Sequence, residues 1–394
     1  MKHSIKRLVS LALVAVMLVG SALAFASCGN SEIEVPKFSD DTIKIGLTGP
    51  LTGGAAVYGE AVYNGARLAI SEINEAGGLD GVLFSFEMFD DGHDASKVAT
   101  GYASLKGKGM QISLGTVTTA PGLEYKELSK KDNLFVLTPS ASGDKIPEST
   151  NTYQMCFADG NQGKVAAEYV NGLNLDKIGI FYKSDDDYSK GIYDQFKATL
   201  NSSIATVEAS FTDVNATDFT NQIDTLKDCT FIFMPIYYTP ASLFMTQAKT
   251  KVAANATYYG CDGFDGIESA EGFNIQDIPQ KVSMLSHFNS KAESGAAKEY
   301  VDKYTGYFGT DTLNQFGASA YDCVYAIYNA LKAAKAAGKK VDATLTASDF
   351  CAILTEQFNG GFTYSGVTGS NIKWEATGYV NKAAVAYVIK EANG

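Results

Sequence analysis

Along most of this chain, segments with apolar residues at alternate positions are followed by segments with apolar residues every three or four positions. Residues 42–47 carry apolar side chains at alternate positions, which predicts a strand. From 57 to 76 apolar residues recur every three or four positions, which predicts a helix that Gly77 and Gly78 end. The same alternation continues beyond residue 250. It indicates parallel sheets covered by helices on both faces.

The alternation restarts after Gly160 and therefore predicts two α/β domains of similar build. Predicted strands are 42–47, 83–89, 110–114, 134–137, 177–182, 204–209, 231–234 and 256–259. Predicted helices are 57–76, 94–107, 124–131, 162–171, one from about 188, 218–226, 241–251, 297–304 and 318–337. A short β-rich tail follows Gly361 and runs through 383–389. A length of 394 residues suits two domains.

The amino terminus has the pattern of an export signal. Lys2, Lys6 and Arg7 precede an apolar stretch from Leu8, and small residues lead to Cys28. Small residues directly before a cysteine resemble the bacterial lipobox, in which that cysteine is acylated. We expect residues 1–27 to be a signal peptide and 28–40 a lipid-anchored linker. This predicts a protein held at the outer face of the bacterial cell membrane by Cys28, with no other membrane contact.

Composition excludes several functions. The net charge of −12 leaves no basic surplus for nucleic acid. The remaining cysteines are odd in number and lack metal-ligand spacing, so we expect no metal site and no disulfide framework. The acidic runs 90–94 and 185–187 lack the spacing of a calcium loop. Without a nucleophile elbow or a phosphate loop, no enzyme activity, catalytic residue or cofactor is predicted.

A series of short motifs resembles one known family. The motifs, in order, are Gly46-Leu-Thr-Gly-Pro-Leu-Thr-Gly53, Tyr58-Gly59, Asn64-Gly65-Ala66, Ile73-Asn74, Gly77-Gly78, Asp90-Asp91 and Thr138-Pro-Ser140. Their joint order resembles the type I periplasmic binding proteins of branched-chain amino acid importers, the leucine/isoleucine/valine-binding family. The resemblance extends over about 44–390.

The resemblance implies two Rossmann-like lobes joined by a three-segment hinge, with crossings near 157–160, 283–288 and 362–378. Lobe one would comprise 41–158 and 287–363, and lobe two 159–286 and 364–394. It implies a monomer that captures an amino acid between the lobes and delivers it to an ABC permease and ATPase complex. The alternative is a ligand-sensing module that signals to a membrane receptor.

Two hydroxyl-rich loops are candidates for holding a carboxylate. The loop 115–121 follows a predicted strand, and its hydroxyls include Thr118 and Thr119. Free backbone N–H groups and the helix dipole favour an anion there, and the resemblance places Thr119 at an α-carboxylate. It also implies that Ser140 and Ser142 grip the ligand. Such loops are equally typical of turns and helix caps.

An acid and several aromatic residues complete the predicted site. The resemblance places Asp262 against the ligand's amino group, although Asp-Gly is also a common turn pair. It implies walls from Tyr58, Tyr188, Tyr237 and Phe316, with Tyr238 as an alternative to Tyr237, because a shift of one residue exchanges the faces of a strand. Arg67 is the only arginine after the signal, so hydroxyl and backbone donors are expected to replace a guanidinium clamp.

Overall fold

The computed structural model describes residues 33–148, 150–212 and 216–392. The predicted signal peptide and Cys28 lie outside the described residues. Two sheets organise the chain, and each belongs to one lobe.

The first sheet contains five parallel strands in the order β2-β1-β3-β4-β5. The strands are β1 Ile43–Gly49, β2 Phe84–Asp90, β3 Ile112–Ser113, β4 Val136–Thr138 and β5 Thr152–Gln154. Its helices are α1 Ala56–Glu75, α2 Val98–Gly107 and α3 Thr119–Asp132. Every residue of β1 is buried, as expected for a central strand covered on both faces.

The second sheet has the order β11-β10-β9-β8-β6-β7 and is parallel except for β11, which runs antiparallel to β10. Its strands are β6 Lys177–Lys183, β7 Ala205–Phe211, β8 Phe231–Met234, β9 Thr257–Gly260, β10 Lys281–Ser286 and β11 Val385–Lys390. Its helices are α4 Asp159–Asn171, α5 Asp187–Thr199, α6 Thr220–Leu226 and α7 Tyr238–Ala248.

The chain passes between the sheets in the three predicted regions. After β5 it enters α4, which packs on α5. After β10 it returns to α8 Gly295–Phe308, α9 Gln315–Ala336 and α10 Ala347–Asn359, and α9 packs on α1 of the first lobe. After α10 it reaches β11 of the second sheet.

Several elements differ from the sequence-based prediction. Helix α3 begins at Thr119, and α10 was not predicted. The strand β5 was not predicted, and β10 overlaps the segment 283–288 that was expected to be a crossing. In the β-rich tail, isolated bridges join Tyr364 to Ile372 and Trp374 to Val380 before β11 begins.

The described part of the predicted linker packs on the first lobe. Ile33 is buried beside Leu68 and Tyr304. The Pro36 carbonyl accepts a hydrogen bond of 3.0 Å from the Phe86 amide. Residues 33–40 were expected to be a linker. They pack on the lobe because burial of apolar side chains such as Ile33 is favourable.

Candidate ligand-binding site

A small cavity lies where strands of both sheets reach their carboxyl ends. Ligands of open α/β sheets bind in this position because loops and helix N-termini converge there. The structure brings all the predicted contact residues together around this cavity. Its lining consists of Tyr58, Val117, Thr118, Thr119, Ser140, Ser142, Tyr188, Tyr237, Asp262, Gly263 and Phe316.

The lobe-one wall of the cavity is the start of α3. Thr118 is the residue before the helix and Thr119 is its first residue, so the first backbone N–H groups of α3 lack partners within the helix. Ser140 donates to the Val117 carbonyl at 2.5 Å and thereby ties the two hydroxyl-rich loops together. Such a helix start attracts an anion.

A second buried acid, which the sequence did not reveal, borders this wall. Asp159 is the first residue of α4, and its amide donates to the Ser142 carbonyl at 2.8 Å. Its Oδ2 accepts from the Thr119 hydroxyl at 3.3 Å, whereas its Oδ1 has no partner among the described residues. Burial, followed by the charge of Asp262, holds the pKa of Asp159 well above its usual range.

The lobe-two wall is built around Asp262. This side chain is 2% exposed, and burial raises its pKa to about 6. The Tyr188 hydroxyl donates to Asp262 Oδ1 at 2.7 Å and accepts from the Gly263 amide at 2.9 Å. Gln162, another residue that the sequence did not reveal, accepts from the Asp262 amide at 3.0 Å.

Aromatic rings close the cavity and join the lobes. The Tyr58 hydroxyl donates to the Gly263 carbonyl at 2.5 Å and accepts from the Tyr238 amide at 3.1 Å. The Tyr58 ring meets Phe316 edge-on at 4.8 Å between centroids. Tyr237 stacks on Tyr188 at 4.5 Å and lines the cavity, whereas Tyr238 is buried against the edge of Tyr58. The structure therefore shows the lobes in contact across the cavity.

A family model described as periplasmic binding protein matches residues 42–392. The chain belongs to this family. The Leu/Ile/Val-binding protein BraC3 of Rhizobium johnstonii is 31% identical to this binding protein over 254 residues, which cover 63% of this chain and 66% of that protein. A leucine-, isoleucine-, valine-, threonine-, and alanine-binding protein of Pseudomonas aeruginosa is 26% identical over 332 residues, covering 79% and 83%.

Solved structures agree with this assignment. The branched-chain amino acid transporter substrate binding protein LivJ of Streptococcus pneumoniae, in complex with isoleucine, superposes with a TM-score of 0.76 at 26% identity, covering 89% of this chain and 99% of that one. A solute binding protein of R. palustris in complex with benzoate gives 0.74 at 16% identity, covering 89% and 93%, and so shares the fold. The predicted two-lobe fold and family resemblance are confirmed.

The relatives also bear on the predicted absence of catalysis. They are substrate-binding proteins and not enzymes, which confirms that prediction for this binding protein. Among the described residues, no group of three or more His, Cys, Asp or Glu side chains could hold a metal ion. Within the same part of the chain, no helix is long and apolar enough to cross a membrane.

The arginine and the cysteines of the binding protein lie away from the predicted chemistry. The Arg67 guanidinium donates to the Ile33 carbonyl and lies 4.9 Å from the Tyr63 ring centroid, outside the cavity lining. The described cysteines are buried free thiols: Cys156, Cys229, Cys261, Cys323 and Cys351. Neither feature supplies a charge or a crosslink to the site.

Proposed function

We propose that this protein captures an amino acid between its lobes and delivers it to an ABC importer. The observation that carries the proposal is the pairing of an anion seat with the buried acid Asp262 in one cavity, which a second buried acid, Asp159, borders. The start of α3 and its hydroxyls would face one end of a bound ligand and Asp262 the other, while Asp159 borders the start of α3 and accepts from the Thr119 hydroxyl. An α-amino acid carries the two complementary charges one carbon apart.

The carboxylate would be held by neutral donors. Thr119 and Ser142 supply hydroxyls, and the first turn of α3 supplies N–H groups. No lysine or arginine is present among the described residues that line the cavity. The positive end of the helix dipole provides the attraction that a guanidinium would otherwise provide.

The ammonium would satisfy the acids. Burial raises the pKa of both carboxyl groups, and the charge of Asp262 raises the pKa of Asp159 further, so a bound ammonium would relieve this repulsion. The rings of Tyr58, Tyr237 and Phe316 line the cavity and would add cation–π contacts. An aromatic acid such as benzoate carries no ammonium, so this cavity favours an amino acid over that alternative.

The experiment compares L-leucine with 4-methylpentanoate, its counterpart without the amino group, by calorimetry at pH 7.5. We expect L-leucine or a related amino acid to bind and the deaminated acid to bind at least about a hundredfold more weakly, because it leaves the acids uncompensated. Benzoate serves as a second carboxylate without an amine. Equal affinity for the amino acid and its deaminated counterpart would contradict the proposal.

Export, anchoring and the lobe boundaries belong to the same proposal. Residues 1–27 direct export, acylated Cys28 anchors the monomer to the membrane, and 41–158 with 287–363 form lobe one against 159–286 with 364–394. Support comes from the sequence pattern before Cys28 and from the segregation of strands into two sheets. Labelling cells with an alkyne fatty acid should tag the wild type and not Cys28→Ser. Equal labelling of both would exclude this anchor.

A further inference from the structure

The His93 ring contacts one residue of the candidate site from each lobe. Its Nδ1 lies 2.8 Å from the Thr118 hydroxyl, at the start of α3. The imidazole and the Tyr237 ring are in T-shaped contact, with centroids 5.2 Å apart and planes at 85°. Thr118 and Tyr237 both line the cavity, one from each lobe. The imidazole therefore contacts both the lobe-one wall and the lobe-two wall of the cavity.

The local backbone holds this ring in place. His93 has a φ of 64°, in the left-handed region that histidine and asparagine tolerate better than most residues. Its amide donates to Asp91 Oδ1 at 2.9 Å, within a partly buried turn after β2. Thr118 makes no side-chain cap bond to α3, so its hydroxyl is free to pair with the imidazole.

We propose that His93 is a positioning residue that orients the Thr118 hydroxyl toward the ligand and couples this orientation to closure through Tyr237. The inference rests on the proposed function, because it concerns the seat of the ligand's carboxylate. A neutral imidazole can accept from or donate to Thr118 according to its tautomer. The tautomer thus decides whether the hydroxyl proton is available to a bound carboxylate.

Closure should require the neutral ring. Burial, together with the charge of Lys183 from lobe two, lowers the pKa of His93 below its ordinary 6.5, and Asp94 opposes this weakly. Tyr237 packs against the ring, and Asp91 is held by the His93 backbone amide. In the open form Lys183 and Tyr237 move away, so the pKa returns toward 6.5. Below that pH, shutting the cleft must expel a proton, and closure weakens as pH falls.

A spectroscopic experiment tests the contact without any ligand. The chain has 3 histidines, so its ¹⁵N imidazole spectrum is simple, and His93→Asn assigns the signal. We expect a single His93 tautomer in the wild type and in Thr118→Ser, which keeps the hydroxyl. In Thr118→Val the preference should be lost. A tautomer that is unchanged in Thr118→Val would overturn the proposal.

A binding experiment tests the coupling, with L-isoleucine as the probe. Asn and Gly both tolerate the backbone at position 93, but only Asn keeps a polar atom near the position of Nδ1. We expect His93→Gly to bind about tenfold more weakly at pH 8, and His93→Asn to restore most of the affinity. From pH 8 to pH 5.5 the wild-type affinity should fall more steeply than that of His93→Asn.

The comparison of wild type with His93→Asn cancels the pH dependence that comes from Asp262 and Asp159, since both acids are present in both proteins. Parallel pH profiles for wild type and His93→Asn would contradict the role in closure. If the wild type fails to bind L-isoleucine or any amino acid, the proposed function fails, and the imidazole spectra still decide whether His93 orients Thr118.

Discussion

When no ligand is bound, the buried carboxyl groups of Asp262 and Asp159 raise the electrostatic free energy of the folded protein. Both side chains are buried, and no lysine or arginine is found among the described residues of the lining. A buried charge without a partner is costly. The arrangement that prepares the protein for an ammonium therefore lowers the stability of the unliganded form.

The substitution Asp262→Asn should separate the effect of this carboxylate on ligand binding from its effect on the stability of the unliganded protein. Burial raises the pKa of Asp262 from 3.8 to about 6. For an acid with a raised folded pKa, the penalty is absent below the unfolded value of 3.8, grows as pH rises from there, and is complete above the folded value of about 6. Above pH 7 the penalty is on the order of 3 kcal/mol. We expect the unliganded variant to melt at a higher temperature than the wild type at pH 8, and the difference to shrink at pH 5.

The same variant should bind its amino acid at least about a hundredfold more weakly, because the ammonium loses a charged partner. Asp228→Asn, which changes an exposed carboxylate of the same lobe, is the matched control and should alter neither property. A lower melting temperature for Asp262→Asn at pH 8 would show that the carboxylate is not under strain. Calorimetry and thermal unfolding supply both measurements.

The residues that the sequence missed share a physical reason. The predicted contacts came from motifs carried over from a resemblance, and all of them line the cavity. Asp159, Gln162 and His93 gain their roles from partners in other segments, namely Thr119, Asp262 and Thr118. No local spacing encodes such contacts. A buried acid that opens a helix directly after a crossing is the signal that could have identified Asp159.

At the scale of elements, the pairing of α1 with α9 depends on close backbone approach. A Cβ added at Gly65 would lie 2.0 Å from the Gly317 carbonyl oxygen, and one at Gly317 would lie 2.8 Å from the Ala61 carbonyl oxygen. Backbone cannot yield as a side chain can. This approach explains the Gly65 of the motif Asn64-Gly65-Ala66 in packing terms.

Gly65→Ala should therefore destabilise lobe one. Overpacking of this kind typically costs about 1–3 kcal/mol, which denaturant unfolding can resolve. Gly306→Ala in α8 is the matched control, since nothing lies within 4 Å of its added Cβ. In a helix interior this exchange is expected to stabilise by about 0.5–1 kcal/mol. Equal effects of both substitutions would disprove the close-packing argument.

Some element boundaries could not be predicted from the sequence, because local signals there favoured different structures. Helix α3 begins at Thr119 although threonine and Pro121 resemble a loop, because proline is tolerated in the first turn. Helix α10 was missed, yet Thr346 and Asp349 form a capping box that is readable as sequence. The strands β5 and β10 were hidden because they lead directly into crossings.

At the scale of the whole molecule, polar contacts between the lobes contribute to closure around the cavity. Tyr58 bonds to Gly263, Thr239 donates to the Gly54 carbonyl at 2.7 Å, and the Gln315 amide donates to Asp265 Oδ2 at 2.9 Å. Each such bond contributes about 1 kcal/mol net. A ligand that contacts both lobes adds further bonds to the shut form and so shifts the equilibrium between open and shut forms.

Tyr58→Phe tests this control, because it keeps the ring against Phe316 and removes the hydroxyl that bonds to the Gly263 carbonyl and the Tyr238 amide. The open form should gain population, so X-ray scattering of the unliganded variant should give a larger radius of gyration than the wild type. At saturating ligand the two should converge, with the variant's affinity reduced about tenfold. Tyr307→Phe, at an exposed tyrosine, is the control. An unliganded radius identical to that of the wild type would mean that the Tyr58 hydroxyl does not hold the lobes together.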